Sequence, residues 1–290
     1  MKDLLKKIRK YEIQIRKAVN NHMHGNFHSV FKGSGLEFDD VRAYQYGDDV
    51  RTINWNVSAK GHGTFVKTFK EEKEQNVFFI VDVSASQEIG KNTRKIDIAR
   101  EICAVLALSA VKDESSVGLI CFSDQKEAYI KPDKGMRHAY QMIGTLFNLI
   151  PNSIKTDLHK SLKFTLTMLK KKSVVIFISD FIDEGYTTNL AALAHKHDLV
   201  VIHLNDPREI KFPNLGIIPL YDKESKKTIW VNSSSSKFRE KINKGYAENK
   251  LKLEQFCRRN GANYLWVNTN EDYLSQLVQL FKIRKMRSKR

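Results

Sequence analysis

The chain has 290 residues, 41% of them hydrophobic, and a net charge of +16, which is length and apolar content enough for one large domain or two small ones. Its longest near-apolar run, ICAVLALSAV at 102–111, falls far short of the roughly 20 residues that cross a bilayer as a helix. The basic N-terminus continues into Tyr11, Glu12, Gln14 and Arg16 rather than into an apolar signal segment, so a soluble, cytoplasmic protein is expected.

Cys103, Cys121 and Cys257 lie far apart in apolar or helical stretches and form no C-x-x-C pair. They read as small buried hydrophobes and suggest neither a disulfide framework nor a zinc site. The positive excess is uneven: residues 1–24 carry +5 and residues 282–290 carry +6, leaving +5 for everything between. No base-reading motif or aromatic stacking ladder accompanies that charge, so weak nucleic-acid binding through the basic ends stays a subordinate reading.

In chain order, Leu4, Leu5, Ile8, Tyr11, Ile15, Ala18 and Val19 recur by threes and fours, which predicts an amphipathic helix over residues 2–22. Residues 25–75 are Gly-punctuated and charge-dense and predict an irregular arm with short strands around 64–70. Regular alternation begins after residue 75. Strands are expected at 76–82, 116–122, 127–131, 173–179, 199–205 and 263–268, and helices at 94–112, 135–149, 157–171, 188–197, 237–260 and 271–286.

Several of these strands are continuously apolar, as in a sheet covered on both faces. The alternation predicts an α/β fold with a doubly wound, mostly parallel sheet. FSDQKEAY is too short to hold a crossover helix, so its two strands should form an antiparallel hairpin. A second hairpin is expected at 216–232, and SSSS at 233–236 supplies a cap for the next helix. The expected domains are an N-terminal helix and arm over 1–75, and an α/β domain with a basic tail over 76–290.

In open α/β sheets, ligands bind at the carboxyl ends of the strands, where strand order reverses. Asp82, Ser84 and Ser86 follow the first strand, Thr156 precedes the helix at 157–171, and Asp180 ends the strand SVVIFISD. All five side chains offer oxygen and neither nitrogen nor sulfur, a donor set for a hard divalent cation such as Mg²⁺ or Mn²⁺. Asp and Ser after a strand are also common turn formers and helix caps. What favours the metal reading is that the matching Thr and Asp stand at the ends of the right elements, in order.

DVSAS (82–86), KTDLHKSL (155–162) and FISDF (177–181) resemble the three loops of the metal-ion-dependent adhesion site of von Willebrand factor A-type domains, at all five ligand positions. The preceding segment, KGSGLEFDDVRAYQYGDDVRTINWNVSAKGHGTFVKTFKEEKE, resembles the signature of the DUF58 family, in which it runs into such a domain. The resemblance covers residues from about 25 to about 280. It implies a non-catalytic binding module in which a partner's carboxylate fills an open metal position. Relatives are often encoded beside MoxR-type AAA+ ATPases, so the implied partner is such an ATPase or its client. Many relatives carry N-terminal membrane helices, and the hydropathy of this sequence leads to no expectation of one here.

The main rival is a Mg²⁺-dependent phosphotransferase of the haloacid-dehalogenase type, with Asp82 as nucleophile. Such enzymes need a second aspartate two positions on as general acid, and Ser84 stands there. No G-x-x-x-x-G-K-[ST] phosphate loop is present either. His22, His24 and His28 have a spacing that zinc accepts, but lack a nearby fourth ligand, so a hinge is the preferred reading. Asp39, Asp40, Arg42, Asp48, Asp49, Arg51 and Trp55 fit either a partner surface or an arm held by its own Arg–carboxylate pairs and a docked Trp.

Overall fold

The computed structural model describes residues 35–61, 63–72, 75–90, 93–210, 214–222 and 227–288. The helix expected over 2–22, and His22, His24 and His28, lie outside them. The described residues divide into two compact units, one running up to Gln75 and the other starting at Asn76.

The first unit is built on β1 (Gly35–Ala43) and β2 (Phe65–Glu72), paired antiparallel with a bulge between Phe38 and Asp40. β2 is the strand expected near 64–70. β1 lies in the stretch read as irregular, where Glu37, Asp39, Asp40 and Arg42 hide the strand pattern and the bulge breaks its alternation. The Arg42 guanidinium forks onto Asp48 at 2.8 and 2.7 Å, and Arg51 pairs with Asp49 at 3.0 Å. The arm's own ion pairs are therefore present, and among the described residues Trp55 is 70% exposed.

In the second unit, a six-stranded sheet has the order β10-β7-β6-β3-β4-β5. Its strands are β3 (Asn76–Asp82), β4 (Ser116–Phe122), β5 (Lys126–Asp133), β6 (Val174–Ser179), β7 (Asp198–Asn205) and β10 (Asn263–Asn268). Every pairing is parallel except the β4–β5 hairpin. The separate hairpin β8 (Ile217–Asp222) and β9 (Lys227–Asn232) is the second one expected.

β3 shows why the sheet is covered on both faces. Val77, Phe79 and Val81 pack into a core with α1 (Lys95–Lys112), α2 (Met136–Asn148) and α6 (Tyr273–Ser288). Phe78 and Ile80 pack into a second core with α3 (Leu158–Met168), α4 (Thr187–Lys196) and α5 (Ser236–Arg259). Residues of opposite parity on one strand thus feed two apolar layers, the requirement of a doubly wound sheet. Gly118 on β4 lets Phe78 lie close, since a Cβ there would meet the ring at 2.8 Å. Ser235 caps α5 by accepting the Phe238 N–H. All three cysteines are buried and free.

The topology also places the site. From β3 the chain goes to β4 and β5 on one side, then returns past β3 to β6 on the other. The reversal falls between β3 and β6, whose carboxyl ends carry Asp82 and Asp180. Among the described residues no helix is long and apolar enough to cross a membrane.

Candidate functional site

Asp82 ends β3 and is 1% exposed. The chain then turns sharply: the Ser84 N–H donates back to Asp82 Oδ1 at 3.0 Å, an Asx-type turn, and a 3₁₀ turn follows over Ala85–Glu88. This turn aims the two serines alike, with their Oγ atoms 3.1 Å apart. Gln87 Nε2 donates to Asp82 Oδ2 at 3.3 Å and to Ser86 Oγ at 3.2 Å. From the neighbouring strand, Ser179 Oγ donates to Asp82 Oδ2 at 2.7 Å.

Asp180 follows β6 directly and is likewise 1% exposed. Its Oδ1 accepts the Ile182 N–H at 3.3 Å, and the Ser86 hydroxyl also donates to its carboxylate. The next residue, Phe181, has φ of 52° although it is not glycine, a left-handed turn that tight surroundings must hold. They do: its buried ring packs on Phe177 at 5.1 Å and on His203 at 5.7 Å. Its carbonyl accepts from Asn249 Nδ2 of α5.

Thr156 is half-buried in the loop before α3. That loop is tied to the Asp82 loop because the Ala85 N–H donates to the Ile154 carbonyl at 3.0 Å. It is tied to the Asp180 loop because the Leu158 N–H donates to Asp183 Oδ2 at 2.7 Å. The structure links Asp82, Ser84, Ser86 and Asp180 through hydrogen bonds of their own side chains and brings the Thr156 loop against them.

A further side chain at the site is Lys95, the first residue of α1 and 0% exposed. Its Nζ lies 2.7 Å from Asp180 Oδ2 and 2.7 Å from Glu209 Oε1. Glu209 sits in a one-turn helix, Pro207–Ile210, just past β7. Neither residue was expected at the site, and neither were Ser179 and Gln87. One signal was available for Lys95: it shares the helical stripe of Ala99, Ile102 and Leu106, all buried, and a lysine on such a stripe needs a buried anion. Glu209 gives no comparable signal, because its partner is 114 residues away.

The electrostatics of the two aspartates diverge. Burial and the nearby Asp180 charge push the Asp82 carboxyl up to about 7, against the weaker pull of its hydrogen bonds from Ser84 and Ser179. Burial also pushes on Asp180, but the Lys95 ammonium overrides it and holds that carboxyl below the ordinary range. Burial raises Glu209 in spite of the same ammonium. Among the described residues no ammonium or guanidinium pairs with Asp82, whose partners are the Ser84 N–H and hydroxyl, the Gln87 amide and the Ser179 hydroxyl.

These residues fit a hard divalent cation: the donors are oxygen only, and one buried carboxylate lacks a positive partner among the described residues. Among the described residues no group of three or more His, Cys, Asp or Glu side chains could hold a metal ion, so a cation here would rest on two carboxylates plus hydroxyls. The arrangement offers little to acid–base catalysis. Ser84 occupies the position where a phosphotransferase needs its acid.

The family described as "Protein of unknown function DUF58" matches residues 40–252, and the chain belongs to that family. It is similar to Uncharacterized protein Rv1480 of Mycobacterium tuberculosis (strain ATCC 25618 / H37Rv), at 24% identity over 282 residues, covering 96% of this chain and 89% of the relative. The likeness to Uncharacterized protein Mb1516 of Mycobacterium bovis has the same extent and identity, 24% over 282 residues. Among solved structures, the conserved hypothetical protein BatB from Bacteroides thetaiotaomicron aligns with a TM-score of 0.49 at 13% identity, covering 73% of this chain and 99% of that one. The SpRpn10 VWA domain aligns with a TM-score of 0.38 at 11% identity, covering 71% and 94%.

Proposed function

We propose that this DUF58 chain is a non-catalytic protein-binding module that captures a partner's carboxylate through a divalent cation, Mg²⁺ or Mn²⁺, held by Asp82, Ser84, Ser86, Thr156 and Asp180. The observation that carries this reading is the convergence of two nearly wholly buried carboxylates at the ends of neighbouring parallel strands, bridged by the Ser84 and Ser86 hydroxyls, with only neutral donors on Asp82 among the described residues. The resemblance to von Willebrand factor A-type domains implies the same ligand set. A divalent ion held by hydroxyls and two carboxylates retains attraction for one more anion.

The residues around the site suit a macromolecular partner. Ile89, Ile154 and Ile182, exposed at 39%, 40% and 47%, stand one on each of the three loops. Each is close in the chain to a backbone contact of the site: the Ile89 N–H donates to the Ser86 carbonyl, the Ile154 carbonyl accepts from Ala85, and the Ile182 N–H donates to Asp180. An acidic side chain flanked by aliphatic neighbours would match this rim. The partner that the family resemblance points to is a MoxR-type AAA+ ATPase or the client it remodels.

The test is capture of such an ATPase by the purified chain. Capture should be lost in EDTA, restored by Mg²⁺, abolished by Asp82→Ala, and weakened by Ser84→Ala and by Ile182→Asp. Turnover of a phosphate ester by the wild type, removed by the same Asp82 substitution and unaccompanied by capture, would instead establish the phosphotransferase.

A further inference from the structure

Among the described residues Lys95 is the largest charged side chain with no exposure at all, and it stands where a lysine is disfavoured. As the first residue of α1 it places an ammonium at the positive end of the helix dipole, and burial alone would drive such a group to its neutral form. It is kept charged by two carboxylates from two other elements, Asp180 after β6 and Glu209 after β7, each at 2.7 Å. Glu209 is itself fixed, since its Oε2 accepts the Asp206 N–H at 3.2 Å. Asp206 does not compete for Lys95, being engaged by Arg208 at 2.9 Å and by Thr269 at 2.9 Å. One ammonium thus joins the starting turn of α1 to the carboxyl ends of two strands, and one of its anions belongs to the proposed ligand set.

We infer that Lys95 is a built-in counter-ion that sets how tightly the site holds its divalent cation: it occupies Asp180 Oδ2 and opposes an incoming dication, while Glu209 holds the ammonium in that position. The inference rests on the metal reading of the preceding section and adds to it a residue that tunes affinity without being a ligand. In a medium of low effective dielectric, a positive charge within hydrogen-bond distance of one ligand carboxylate weakens dication binding substantially. Glu209 acts in the opposite sense, because its charge offsets part of the ammonium's. The arrangement keeps the bound cation exchangeable and makes a partner's carboxylate worth more to the complex.

The opposed signs supply the test, read by calorimetric titration of Mn²⁺ into the full chain. Glu209→Gln removes the offsetting anion and keeps the Lys95–Asp180 pair, so Mn²⁺ affinity should fall by about tenfold. Lys95→Met combined with Glu209→Gln removes one charge of each sign, leaves the net charge unchanged, and frees Asp180 from its ammonium. That variant should bind Mn²⁺ about tenfold more tightly than the wild type and show a larger Mn²⁺-induced rise in melting temperature.

A purely structural Lys95 would leave both affinities at the wild-type value, and that result overturns the inference while sparing the metal site. Should the double variant not fold, Glu209→Gln alone decides: weaker binding supports the inference, and unchanged or tighter binding overturns it. No Mn²⁺ binding by the wild type or either variant defeats the metal reading and this inference together.

Discussion

Asp82 and Asp180 stand at the ends of neighbouring strands, equally buried at 1% exposure, yet they are held in opposite electrostatic states. Asp180 has the Lys95 ammonium at 2.7 Å and stays below the ordinary carboxylate range in spite of burial. Among the described residues Asp82 has only neutral donors around it, and burial with the neighbouring charge pushes it up to about 7. Equal burial therefore has unequal consequences, decided by whether a cation is within reach. A fold that supplies its own cation to one of two adjacent carboxylates and none to the other leaves the second to be neutralised by a proton or by an ion from solution.

Breaking the contrast on the Asp180 side should have the largest effect. Lys95→Met leaves Asp180 and Glu209 buried without their shared cation, and the apo protein should lose about 3–5 kcal/mol of stability, measured by urea unfolding in EDTA. A loss under about 1 kcal/mol would mean that the ammonium contributes little to holding the two carboxylates.

Removing the charge on the Asp82 side should work the other way. In EDTA at pH 8, Asp82→Asn should stabilise the fold by on the order of 2–4 kcal/mol, because it abolishes a buried unpaired anion. The sign follows from a folded pKa raised above the ordinary value: this group favours folding most at low pH, and the contribution is lost as pH rises through about 7. The advantage of the variant should thus shrink toward pH 4. An advantage independent of pH would show that the charge is not its source.

His203 sharpens the comparison as a buried group with the opposite pH response. It is 2% exposed, its Nδ1 lies 3.0 Å from the Tyr264 hydroxyl, and it is hydrogen-bonded to the backbone of Asp180. Burial lowers its pKa from the ordinary 6.5 to about 4. Its contribution is present above 6.5 and lost as pH falls toward 4, so acid should destabilise the wild type there by about 2–3 kcal/mol more than His203→Gln. Parallel stability curves for the two proteins would refute this.

The fold was readable because its signals are local or periodic. The apolar runs of β3, β6 and β7, the helical spacing of α1 to α5, and the short FSDQKEAY connection each follow from a few neighbouring residues. The candidate ligands were readable because ordered side chains at strand ends, together with a fold that brings those ends into one crevice, make a pattern in the chain itself. The charge balance was not readable. Lys95 and Glu209 meet across 114 residues, and a lone lysine or glutamate in sequence reads as solvated unless its place on a buried stripe is weighed. β1 was obscured for a different reason, its charges and its bulge, and Phe181 because nothing in a phenylalanine announces a positive φ.

The smallest structural perturbation that bears on the site is Ser84→Ala. It removes a hydroxyl that lies 3.1 Å from Ser86 Oγ but leaves the Ser84 N–H that turns the loop on Asp82. Apo stability should change by no more than about 1–2 kcal/mol, while Mg²⁺ affinity falls severalfold, as followed by competition against Mn²⁺. Equal Mg²⁺ affinity in the two proteins would remove Ser84 from the ligand set.

The claim on which the account turns is that Asp82 awaits a divalent cation, and the most direct measurement is calorimetric titration of Mn²⁺ into the wild type and into Asp82→Ala at neutral pH. The account predicts saturable binding at one site in the wild type, with proton release as the cation displaces the proton from Asp82, and no binding in the variant. Indistinguishable heats from the two proteins would contradict it.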